Sequence, residues 1–156
     1  MRWKQFAALA LLTGTASAAP MQDRRDLPQL VVALDAAEPL SVGALQTILG
    51  ITLSCNNDHH CSGGPVTLAG TRIAGVDFRH GEFGSILMLE GLEGSCLNPE
   101  SIAIDAPFGA PMNGCTDGVL CRYRTAPRRW GNLHLRMPDD PGAPQCVQYV
   151  VLNQRP

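Results

Sequence analysis

Residues 71–92, TRIAGVDFRHGEFGSILMLEGL, decide the fold. Two strand-like runs, TRIAGVDF at 71–78 and SILMLEGL at 85–92, flank the glycine-bearing stretch RHGEFG. So short a link between two such runs spells an antiparallel β-hairpin. The second run is apolar on both faces from Ile86 to Leu89, which places it centrally, under a helix.

Candidate covering helices lie on either side. In SVGALQTILG, 41–50, Val42, Leu45, Ile48 and Leu49 recur three or four apart, with Ser41 placed to cap and Gly50 to terminate. ITLSC at 51–55 then reads as a strand. NPESIAID, 98–105, repeats the helix signal, because Asn98 can cap, Pro99 suits the first helical position and Glu100 meets the positive helix end. A loop rich in Gly and Pro runs on to Gly118, followed by three strand candidates: VLCRYR at 119–124, WGNLHLRM at 130–137 and CVQYVVL at 146–152. In the middle one Leu133, Leu135 and Met137 alternate with His134 and Arg136, the period of a half-exposed strand.

These elements predict an α+β fold: an antiparallel sheet with short helices on one face, ordered as a weak tandem helix-plus-three-strand repeat. The layout is similar to that of exported inhibitor proteins built from tandem helix-plus-meander units, although no residue motif accompanies the likeness.

The first residues bear on location. Arg2 and Lys4 precede an apolar run from Phe6 to Leu12 and the small residues Ala16-Ser17-Ala18, the order of parts in a secretory signal peptide spanning 1–18. Residues 19–28, APMQDRRDLP, read as a mobile lead-in, and 29–156 as a single domain. No other segment has the roughly twenty apolar residues a membrane helix needs. Loss of Arg2 and Lys4 leaves ten Lys and Arg against fourteen Asp and Glu, a net charge of −4. Such a balance argues against nucleic acid or an anionic membrane as partner.

All six cysteines, 55, 61, 96, 115, 121 and 146, follow the expected signal. An even count in a secreted or periplasmic chain implies disulfides. Spacing favours Cys55–Cys61 and Cys115–Cys121, each enclosing five residues, which leaves Cys96–Cys146.

Three stretches carry polar chemistry. CNNDHHC, 55–61, holds Asp58, His59 and His60, the candidate metal ligands of the chain. Structural zinc usually takes four Cys or His ligands and needs reduced thiolates. The expectation is therefore a disulfide ring with a polar rim, and neither metal nor cofactor. DFRHGE, 77–82, sets His80 between Asp77 and Glu82, an arrangement that can orient a general base, but no nucleophile and no G-x-S-x-G, H-E-x-x-H or phosphate-loop motif accompanies it. RYRTAPRRW, 122–130, gathers Arg122, Tyr123, Arg124, Arg128, Arg129 and Trp130, residue types enriched where proteins grip partners. MPDDPGAPQ lacks the ligand spacing of a calcium loop.

The sequence thus points to an exported, non-enzymatic binding or inhibitory module, acting on a protein or envelope component through residues 122–130. The alternative is a small hydrolase or metal-dependent enzyme using His80 or the His59/His60 loop. Convergence of the histidines and acidic residues in one cleft favours the second reading, whereas an exposed Arg and aromatic patch favours the first.

Overall fold

The computed structural model describes residues 25–37, 39–113, 122–140 and 142–155. The expected signal peptide, residues 19–24 of the lead-in and the Cys115–Cys121 pair lie outside these. The hairpin at 71–92 forms as expected: β4 (Thr71–Gly81) and β5 (Gly84–Gly94) pair antiparallel from Thr71 opposite Gly94 to Gly81 opposite Gly84. Glu82 and Phe83 make the turn. Within this unbroken register Ala74 and Gly91 fall opposite each other, where Gly91 has φ 61° and a Cβ would lie 2.8 Å from the Ala74 side chain. Only glycine fits there without strain.

Around this hairpin stands a nine-stranded, wholly antiparallel sheet. Its other strands are β1 (Ser54–Asn57), β2 (His60–Gly63), β3 (Val66–Leu68), β6 (Met112–Asn113), β7 (Arg122–Arg128), β8 (Gly131–Met137) and β9 (Tyr149–Gln154). The order is β1-β2-β4-β5-β9-β8-β7-β6, with β3 alongside β4. Two α-helices among the described residues, α1 (Leu27–Ala36) and α2 (Val42–Leu49), precede the strands. The class is α+β, as expected.

The tandem repeat is not confirmed, because both helices come before β1 and the second expected helix is a single 3-10 turn, Pro99–Ser101. Asn98 caps that turn by accepting from the Glu100 N–H, but Ile102 is already extended at ψ 110°. Ile102 is only 5 % exposed, so burying it outweighs continuing a helix too short to propagate.

The lead-in expectation also needs correction at its end. Leu27 is 2 % exposed and belongs to α1. Asp26 accepts from the Gln29 N–H at 2.9 Å while the Gln29 side chain accepts from the Asp26 N–H at 3.1 Å, a reciprocal cap that starts the helix. The Arg25 guanidinium donates to the Ile48 carbonyl in the last turn of α2, where a cation meets the negative helix end.

The core lies between these helices and one face of the sheet. Antiparallel register lines up Phe78, Leu87, Leu152, Leu133 and Ala126 across five strands, each no more than 1 % exposed. Against this face pack Leu27, Leu30, Val31 and Leu34 of α1 and Leu45 and Leu49 of α2. Burial of each such side chain contributes about 1.5–3 kcal/mol. Along β8, buried and half-buried residues alternate strictly, so the opposite face stays open.

Among the described residues two disulfides brace the frame, and they fit a disulfide-stabilised module. Cys55 and Cys61 sit directly opposite each other on β1 and β2, so CNNDHHC is a hairpin closed by its own bridge. Cys96 and Cys146 join the segment leaving β5 to the one entering β9. Such bonds are compatible with an extracellular or periplasmic protein. No helix among the described residues is long and apolar enough to cross a membrane.

Candidate functional site

The pairing of β2 with β4 brings the turn of CNNDHHC beside the β4–β5 turn. His60 faces Arg79 across the ladder, and the His80 N–H donates to the His59 carbonyl at 2.9 Å. His59 Nδ1 lies 3.1 Å from the His80 carbonyl oxygen. A carbonyl can only accept, so that ring nitrogen carries the proton. The rings of His59 and His80 stand 6.2 Å apart edge-on, and His80 stacks on Phe78 at 5.2 Å.

His60 points elsewhere. Its Nε2 meets Asp77 Oδ2 at 2.9 Å, and Arg79 Nε donates to Asp77 Oδ1 at 2.9 Å. Burial works to raise the Asp77 pKa, but the hydrogen bonds from Arg79 and His60, with their charges, together hold it below its ordinary 3.8.

His59 and His80 line a groove with Asp58, Glu82, Leu40 and Ser85. On the other side of the turn all three histidines border a second groove, with Phe83 and Ile86. The structure thus brings His59 and His80 together, a convergence that the sequence reading left open. Its chemistry is nevertheless limited, because among the described residues no three His, Cys, Asp or Glu side chains are gathered to hold a metal ion. The Asp58, His59 and His60 candidates are split, with His60 bound to Asp77 and His59 to a backbone carbonyl. The Ser85 hydroxyl, which borders both grooves, is buried and donates to Gln154 Oε1 at 2.7 Å, so it is not presented as a nucleophile.

What the turn does present is apolar. Phe83 is 89 % exposed and Ile86 38 %. The tip is rigid, since both strands are paired up to Gly81 and Gly84 and the β2 side is locked by the His80–His59 bond.

Residues 122–130 fare differently, because strand alternation divides them. Arg122, Arg124 and Arg128 turn toward the covered face and Tyr123 toward the open one. Arg128 forks onto Asp35 of α1 and also reaches Asp105. Arg124 pairs with Glu100 and donates to the Gly109 carbonyl at 2.9 Å and the Phe108 carbonyl at 3.1 Å. Arg122 donates to Gln145 Oε1 at 3.0 Å, and Trp130 is 6 % exposed, in the core. Of the basic residues here only Arg129 is exposed. The stretch therefore does not form one continuous contact surface; it staples the loop 98–109 and α1 to β7.

The open face carries a group that sequence reasoning missed. Thr125 Oγ1 lies 2.9 Å from His134 Nδ1, Tyr123 meets His134 edge-on with ring centres 6.2 Å apart, and the Arg136 guanidinium sits over the Tyr149 ring at 5.0 Å. Burial holds the His134 pKa below its ordinary 6.5, so the ring is neutral at neutral pH. The alternation in WGNLHLRM had put His134 and Arg136 on the exposed side. The juxtaposition with Tyr149 needed the β8–β9 register, which is not local.

Comparison with family models, with curated proteins and with solved structures gives no match to this chain.

Proposed function

We propose that the chain is an exported, non-enzymatic binding module that engages a protein partner with the tip of its β4–β5 hairpin. The observation that supports this reading is Phe83, 89 % exposed at the end of a fully paired hairpin, with Ile86 beside it. Scattered apolar residues are ordinary on surfaces. An aromatic side chain held out on a rigid tip, with grooves on both sides, is the form of an interface anchor that loses little entropy on binding. An inhibitory action would follow if the tip entered a partner's cleft.

The test is affinity capture with oxidised protein as bait, run in parallel with the Phe83→Ser variant. A stoichiometric partner held by the parent and lost by the folded variant supports the tip; the same partner held equally by both overturns it. The convergence of His59 and His80 on one groove with Glu82 favours the enzymatic reading as second. Zinc titration decides it, since a metal bound only by the native state must raise thermal stability.

A further inference from the structure

We infer that the open sheet face around Arg136 is a binding site for a carboxylated polysaccharide. This is independent of the hairpin tip and uses different residues.

Register carries the argument first. Tyr123 pairs with Arg136, and Arg136 with Tyr149, so three adjacent strands place an arginine between two tyrosines on one face. Two strand spacings separate the tyrosines by about 10 Å. That separation suits sugar rings two units apart along an extended polysaccharide, each resting its C–H face on an aromatic ring.

Charge carries it second. Arg122, Arg124 and Arg128 are all engaged on the covered face. Arg136 makes no ion pair among the described residues; its guanidinium lies over the Tyr149 ring. A guanidinium stacked in this way keeps in-plane N–H donors for a carboxylate, the planar fork that arginine offers and lysine does not. Two acidic residues share the face: Asp77, taken by Arg79 and His60, and Glu90, which the β5–β9 register carries next to Tyr149.

Beside this centre stand groups suited to hydroxyls: Thr125 and His134, already hydrogen-bonded to each other. His134 is half-buried and neutral, so its ring can donate at one nitrogen and accept at the other. A ligand with sugar hydroxyls and one carboxylate answers the arginine, the two tyrosines and the Thr125–His134 pair.

The experiment is affinity electrophoresis of the oxidised protein through gels containing sodium polygalacturonate, uncharged hydroxyethyl cellulose or poly-L-glutamate. Retardation by polygalacturonate and not by hydroxyethyl cellulose is expected. The Arg136→Gln variant should bind about tenfold more weakly, the loss of one charge-assisted hydrogen-bonded contact. Tyr149→Ala and Tyr123→Ala should weaken it as well, and Phe83→Ser should leave it unchanged. If Arg136→Gln does not fold, Arg136→Lys, which keeps the charge and loses the fork, should still bind more weakly than the parent. Absence of retardation overturns the proposal, as does equal binding by the Arg136 variants. Retardation by poly-L-glutamate that is as strong and insensitive to both tyrosines would assign the face to acidic peptides instead.

Discussion

Arg128 and Asp35, 93 positions apart in the chain, meet in a forked ion pair with Nε donating to Oδ1 at 2.7 Å. Their side chains are only 11 % and 10 % exposed. The pair fixes the C-terminal half of α1 to β7, at the far side of the sheet from the first hairpin, and so holds the helix layer square on its core.

Breaking this pair from one side should cost more than removing it. Arg128→Met leaves the Asp35 carboxylate largely buried without its partner, a loss of about 3 kcal/mol. The double variant Arg128→Met, Asp35→Leu should recover most of that. Urea denaturation of the three proteins checks it; a double variant as unstable as the single one would contradict the account.

The two disulfides should differ in worth. Cys96 and Cys146 are separated by 50 positions, and the chain-entropy argument gives that bridge about 4 kcal/mol. Cys55 and Cys61 are separated by 6, for about 2 kcal/mol. Paired Cys→Ser replacement at 96 and 146 should therefore lower Tm the more. The reverse order would show that packing around Cys61 outweighs loop closure.

Acidification should weaken the fold through His134. Its folded pKa lies below the ordinary 6.5, so the unfolded chain takes up the proton first. Stability is complete above 6.5 and declines as pH falls from there toward the lower folded value. His134→Gln should reduce the drop between pH 7 and 5. Parallel stability curves for the parent and this variant would remove the histidine from the explanation.

Asp77 acts at lower pH and with the opposite partner logic. Its folded pKa is below 3.8, so its contribution is present above that value and lost as pH falls through the lower folded one. Asp77→Asn should cost about 1–2 kcal/mol at pH 7, reduced by partial solvent screening of Arg79. The cost should vanish in strong acid, where both proteins carry a neutral group; an unchanged difference there would rule out the charge as its source.

Local pattern explains what the sequence revealed. The 71–92 hairpin, the 41–50 helix and the β8 alternation depend on residues near one another, and all three stand in the structure. The α1 signal was present too, since Leu27, Leu30, Val31 and Leu34 follow helical spacing behind the Asp26/Gln29 cap. Its start fell within a stretch read as lead-in because Pro28 resembled a boundary, when in fact proline suits a first helical turn. The 98–105 segment failed in the other direction, its local cap being real but the helix overruled by burial of Ile102.

The candidate site depended on contacts that are not local. His59 and His80 come together through the β2–β4 pairing, which joins CNNDHHC to the 71–92 hairpin and which no local pattern spelled out. The fate of the 122–130 arginines depended on Asp35, Glu100 and Gln145, partners delivered by distant segments, and Tyr149 reaches Arg136 only through the β8–β9 ladder.

β9 follows the other eight strands in the chain yet lies inside the sheet, between β5 and β8. Until it arrives, the β1–β5 group and the β6–β8 group have no ladder between them, and each presents an unpaired edge. A chain threaded through a pore from its N-terminal end would therefore emerge as two incomplete halves and close only at the last moment. The strand YVVLNQ is therefore a natural point at which a chaperone, or a synthetic peptide of the same sequence, could compete for the open seam.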